Sequence, residues 1–286
     1  MNISRATSAR EPTGVGAAAR NNAEWCAAVC RAHGVPYRFS GTVWWSPRRT
    51  PPYYPEAVTL RPGVRPGELL RLLDTGTPGC SVKDSFAALD LSGHGFAPLL
   101  HGQWLRRPAG VAQEEPAGIS GEFAAVAVRG ADRLGRWVSA WHGGEDGEPP
   151  PDIFRPALLR DPAVRVLAVH RTHADGRLAD GSLADGELVG GAVLNLGAGL
   201  VGVSNVFAVG AVPLAAVWTA VVRAAAVHFP ECDLVGYEDD DGDDDRDDDP
   251  ACAHVTPADR RRTPLGAALD AGFRVLGPLR VWVHHS

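Results

Sequence analysis

The chain of 286 residues contains one lysine, Lys83, against 27 arginines. Alanine, glycine and proline are abundant, so this imbalance reads as the base composition of a GC-rich genome, not as chemistry. Cysteine is scarce as well. Cys26, Cys30, Cys80, Cys232 and Cys252 are odd in number and widely spaced. A chain this long can bury a core without covalent staples, so a disulfide scaffold is excluded and a reducing cytoplasm is expected. No uncharged apolar run reaches the ~18 residues of a membrane span. The nearest candidate, Gly186 to Pro213, is interrupted by seven glycines and reads as strands. The N-terminal MNISRATSAREPTGVGAAAR also lacks the apolar block of a secretory signal, so export is not expected.

Basic patches are missing too. The formal net charge is −6, but residues 238–249, EDDDGDDDRDDD, hold ten acids and one arginine. The remainder has 27 bases against 24 acids and is nearly neutral. That excludes the basic stripe that a nucleic acid requires. A sensor-type calcium loop places aspartates one, three and five residues into a loop with glycine at the sixth position. Counting back from Gly242 gives Tyr237, Asp239 and Asp241, so the pattern fails. The acidic run, taken as 238–250, is expected to be a solvated, disordered insertion.

Along the chain, residues 1–20 read as a disordered tail. Asn22 to His33 has apolar residues at helical spacing and stops at Gly34, a C-cap residue. Cys26, Cys30 and His33 fall on one face of that helix. No second ligand cluster is spaced to complete a metal site, so a buried face is the better reading. The segment from Trp44 to Gly63 has five prolines and leaves only AVTL as a short strand. Trp44, Trp45, Tyr53 and Tyr54 within it are candidates to line a pocket. PGELLRLLDT reads as a helix with Pro66 at its start. SFAALDL and FAPLLHGQWL read as a strand pair joined by SGHG. The Pro/Ala/Gly-rich stretch from Arg107 to Gly121 is a candidate boundary between halves at 21–120 and 121–286. LGRWVSAWH reads as a helix, and VRVLAVHR as a strand.

Residues 187–283 then run ELVGGAVLNL, GLVGVSNVFAV, LAAVWTAVVRAAAVHFP, CDLVGYE and LGAALDAGFRVLGPLRVWV. The order is two strands, a long helix, a strand, a helix and a last strand. Order and wording resemble the GCN5-related N-acetyltransferase (GNAT) family over roughly residues 131–283, and only loosely before that. The resemblance implies a mixed α/β fold, an α+β sheet with flanking helices, either as one GNAT-like half or as two. It also implies acetyl-CoA as co-substrate. The strand VGVSNVFA would splay from CDLVGYE, and the pantetheine arm would lie in the gap against the backbone of Asn205, Val206 and Phe207. The amides around Gly210, Ala211 and Leu214 would take the pyrophosphate at the positive end of the next helix.

Two departures from the family pattern stand out. The family's pyrophosphate loop reads Arg/Gln-x-x-Gly-x-Gly/Ala, whereas this chain offers Ala208-Val209-Gly210-Ala211-Val212-Pro213. The tyrosine of a Tyr-x-x-x-Gly-Phe spacing falls at Ala268. The chemistry implied is direct attack of an amine on a thioester, which needs a base and a proton donor. Glu238 is the candidate base and Tyr237 the candidate donor, against the reading that Glu238 begins the acidic run and Tyr237 packs. Asn205 is a polar residue in an apolar strand and must find a partner, either a ligand or a bulged backbone. The expected function is acetyl transfer to an amine of a small molecule or amino-acid derivative, in the cytoplasm, with no metal, nucleic acid or membrane partner. The alternative is a catalytically silent GNAT-fold protein that binds a small molecule or a partner. The oligomeric state is left open.

Overall fold

Eleven strands form a single mixed sheet in the computed structural model, which describes residues 14–112, 122–143, 149–172, 186–240 and 263–285. The strands are β1 (Arg38–Phe39), β2 (Val43–Trp45), β3 (Ala57–Thr59), β4 (Ser81–Asp84), β5 (Phe96–Arg107), β6 (Phe123–Ala127), β7 (Val164–Arg171), β8 (Leu188–Gly197), β9 (Leu200–Ala208), β10 (Leu234–Asp239) and β11 (Arg274–His284). Their spatial order is β1-β2-β3-β4-β11-β5-β10-β9-β8-β7-β6. The helices are α1 (Val15–His33), α2 (Pro66–Leu70), α3 (Ala131–His142), α4 (Leu214–His228) and α5 (Pro264–Asp270). This is the mixed α/β fold with flanking helices that the order of elements implied.

The helices divide between the two faces of the sheet. Alternate residues of a strand point to opposite faces. On β5, Leu105 packs with α4 and α5, while Trp104 packs with Ala18 and Ala19 of α1. On β10, Leu234 joins the first cluster and Val235 the second. The helix α4 is apolar on most sides, and Ala216 to Val222, with Ala224 and Ala225, are buried between the sheet and α5. Its tryptophan, Trp218, meets Phe273 edge-on at 5.0 Å between centroids. On the other face, α1 and α3 share a cluster in which Trp25 and Val29 accompany Leu134 and Trp137. Asn21, buried in α1, aims its amide nitrogen at the carbonyls of Asn195, Gly197 and Leu200 in the β8–β9 hairpin. That clasp sets where the next turn of α1 lies over the sheet.

Several expected elements differ in extent or kind. The helix expected from Asn22 begins at Val15, so the last six residues assigned to a tail are helical. It ends as expected at Gly34, whose φ of +68° suits glycine. Trp44 and Trp45 lie in β2, not in irregular chain. The pair SFAALDL–FAPLLHGQWL does not form. The first strand is instead Ser81–Asp84, and residues 85–91 fold around the Asp84 carboxylate, which accepts from the amides of Phe86 and Leu89. β5 pairs with β10 and β11 on its two sides. The acidic run beyond Asp240 and Cys252 lie outside the described residues.

Candidate active site

The site is built where two neighbouring parallel strands separate. β9 and β10 pair only at Val201–Leu234 and Gly202–Val235, although both continue well beyond. On its other edge, β9 shifts register against β8 between Val193–Ser204 and Gly191–Phe207, which leaves an extra residue in β9. Asn205 occupies that bulge with a φ of +53°. Asparagine adopts the left-handed region more readily than other residues bearing a Cβ, and a bulge bends its strand. Asn205 and Val206 lie outside both ladders. The bulged segment is held from the α3 side. Trp137 stacks edge-on against Phe207 at 5.2 Å and donates its indole N–H to Leu167 O at 2.8 Å. This approach requires Gly191, because a Cβ there would lie 2.2 Å from the Trp137 indole nitrogen.

Beyond the bulge the chain turns into α4. Val209 N–H donates to Val189 O, Gly210 takes a φ of +61°, and Pro213 caps the helix. Ala216 N–H is satisfied by Pro213 O at 2.9 Å. Among the described residues, the amides of Gly210, Ala211 and Leu214 donate to no protein acceptor. A proline at the cap removes one donor but leaves these three at the positive end of the helix.

Beside the gap lies a cavity of about 240 Å³. Its walls come from α1 (Asn22, Trp25, Cys26), the proline-rich segment (Tyr53, Tyr54, Pro55), Lys83 of β4, Trp141 of α3, Ile153, β9 (Ser204, Asn205, Val206) and β10 (Tyr237, Glu238). Tyr237 and Glu238 are consecutive, so they leave β10 toward opposite faces, and the open seam lets both contribute. Burial, and then the neighbouring Asp239, push the Glu238 carboxyl from an ordinary 4.5 up to about 7. Burial also pushes the Tyr54 hydroxyl well above the tyrosine range. Cys26 and Tyr237 add to that effect, and Asn205 and Trp25 oppose it. Tyr237 meets Trp104 edge-on, and the Lys83 ammonium sits 3.8 Å from the centre of its ring.

Four residues singled out from sequence, Asn205, Val206, Tyr237 and Glu238, thus line one cavity. Phe207 packs on Trp137, and Gly210, Ala211 and Leu214 form the turn beyond. Asn205 resolves into a bulge residue whose amide donates to Ser204 Oγ at 3.0 Å. Tyr53 and Tyr54 line the cavity, whereas Trp44 is buried in the core and Trp45 packs on the cluster around β2–β4. Cys26 and Cys30 are buried, which pushes their thiols up to about 11 and about 12, and His33 contacts Ile153 O. No group of three metal-ligating side chains occurs among the described residues. Lys83, Asn22 and Trp25 were not singled out as site residues. For Lys83 the available signal was its being the one lysine of the chain.

No protein-family model and no curated protein matches this sequence. Solved structures do match its fold. A GCN5-related N-acetyltransferase from Kribbella flavida superposes with a TM-score of 0.55 at 16% identity, over 94% of this chain and 96% of that one. A GNAT-family protein from Novosphingobium aromaticivorans DSM 12444 gives 0.49 at 16% identity, over 90% and 96%. The chain has the GNAT fold, as the resemblance in its C-terminal block implied.

Proposed function

We propose that the protein transfers an acetyl group from acetyl-CoA to the amine of a small molecule or amino-acid derivative. The observation that carries this reading is the seam between β9 and β10, which opens beyond Gly202, passes the bulge at Asn205 and runs toward three amides at the start of α4 that have no protein acceptor among the described residues. Acetyl-CoA supplies the activated acyl group. The backbone of Asn205, Val206 and Phe207 would hold its pantetheine arm, and the amides of Gly210, Ala211 and Leu214 its pyrophosphate. These donors fit an anion without help from an arginine, since the helix end contributes partial positive charge. Glu238 receives the proton of the acceptor ammonium. A carboxyl raised to about 7 is suited to a base working near neutrality. The Tyr237 hydroxyl gives a proton to the departing thiolate and regains one from the attacking nitrogen as the amide forms.

The degenerate loop and Ala268 favour a second reading, a silent GNAT-fold protein that binds its ligand without turnover. Calorimetry with acetyl-CoA and desulfo-CoA separates the cases. The transferase reading expects affinity tighter than millimolar together with thiol release when an amine is supplied. Binding without release with any of a broad set of amines selects the silent reading. No binding of either compound removes the transferase reading. Gly210→Asp should weaken acetyl-CoA at least about tenfold, because it sets a carboxylate against the phosphates. A Cβ at Gly210 meets no atom within 4 Å, but the φ of +61° strains any side chain there, so Gly210→Ala is the control that separates backbone strain from charge.

A further inference from the structure

Lys83 is a buried ammonium with no counter-ion among the described residues. It is 4% exposed, in a strand flanked by β3 and β11. Its Nζ donates to Asn22 Oδ1 at 3.1 Å and covers the Tyr237 ring. Among the described residues, no carboxylate lies within ion-pair distance of it. The nearby acids in sequence and space are committed elsewhere. Asp84 accepts from Thr59, Phe86 and Leu89, and Glu56 accepts from Thr50 and Ser81. Cys26 keeps its proton, since burial raises its thiol. A buried cation with one amide and one ring for company is expensive, and a lysine stem is long enough to reach water where it can. Here the ammonium instead lines the cavity beside the seam.

We propose that Lys83 anchors a carboxylate of the acceptor, so that the acceptor is a small amino acid or a close derivative with an apolar or aromatic body. The inference rests on the transferase reading for the word acceptor, but not for the binding chemistry. Asn22 accepts from Lys83 at its Oδ1, and among the described residues its amide N–H groups have no protein acceptor, which gives a carboxylate a second donor beside the first. Glu238 lines the same cavity, so a ligand that sets its carboxylate on Lys83 can present its amine to the carboxyl proposed as the base. Trp25, Tyr53, Trp141 and Ile153 supply the apolar remainder of the wall. A phosphate would bring two charges to one ammonium in a cavity that already holds Glu238, which disfavours it.

The test compares L-leucine, L-phenylalanine and L-tryptophan with their carboxamides, by calorimetry on the full chain alone and with desulfo-CoA. At least one acid should bind about tenfold or more tighter than its amide. Lys83→Met should bring that pair within about twofold while leaving acetyl-CoA affinity unchanged. Asn22→Ala, which keeps the ammonium, should weaken the acid at least about threefold and spare the amide. Acids that bind no tighter than amides, or do not bind at all, overturn the proposal. So does a preference that survives in Lys83→Met. Should that variant fail to melt cooperatively, the wild-type comparison and Asn22→Ala still decide. Loss of acetyl-CoA binding in the wild type would remove the transferase reading and leave the acid preference to stand or fall by itself.

Discussion

Replacing Glu238 by glutamine should stabilise the protein, and by an amount set by pH. The carboxyl is displaced from 4.5 to about 7, first by burial and then by Asp239. Between those values the unfolded chain has lost the proton and the folded chain still holds it. The folded state therefore binds more protons, and stability falls as pH rises from the lower value through the upper. Above pH 7 the loss is complete and corresponds to about 3 kcal/mol at ~1.4 kcal/mol per tenfold. Glutamine keeps the shape and cannot ionise. Urea unfolding followed by tryptophan fluorescence should then show Glu238→Gln more stable than wild type by about 3 kcal/mol at pH 8. At pH 5 the gap should shrink to under about 1 kcal/mol. Asp239→Asn removes the lesser cause and should flatten the wild-type dependence in part. A difference between Glu238→Gln and wild type that is the same at pH 5 and pH 8 would refute the reasoning, since it would mean that Glu238 ionises normally in the fold.

Further outcomes concern the geometry around the seam. Gly191→Ala should cost about 3 kcal/mol in a urea melt, because the new Cβ would meet the Trp137 indole at 2.2 Å and Leu167 O at 2.8 Å. A loss under about 0.5 kcal/mol would show that Trp137 is not pressed against the sheet. Asn21→Ala leaves three hairpin carbonyls without their donor and should cost about 2 kcal/mol; an unchanged midpoint would deny the clasp its role. If Glu238 is the base, kcat/KM for amine acetylation should climb with pH to a plateau above about 7, with a lower midpoint in Asp239→Asn.

The C-terminal elements were legible because each is local. The nearly continuous apolar run LVGGAVLNL, the alanine-rich helix and the Gly-Phe turn state their structure within a few residues. The partnership of β5 was not legible. SGHG offers a nearby turn and suggests a hairpin, whereas the chain before it is captured by the Asp84 carboxylate. Nothing within twenty residues of β5 announces that its partners are β10 and β11. The site divides in the same way. Asn205 in an apolar strand and Glu238 at a strand end are visible anomalies. That Lys83 covers the ring of Tyr237, or that Tyr54 reaches Asn205, follows only from the stacking of distant segments.

β5 has a consequence for how the molecule comes into being. It leaves the ribosome early, yet Arg107 must wait for Leu234, and Arg106 for both Val235 and Arg274. Until then a twelve-residue strand has both edges open, a state that invites pairing with other chains. Cutting the polypeptide between β5 and β6 would leave each fragment with a sheet it cannot close. Newly made chains should therefore depend on a holdase or on dilution more than their native stability suggests, and the two pieces, expressed together, should recover solubility that neither has alone.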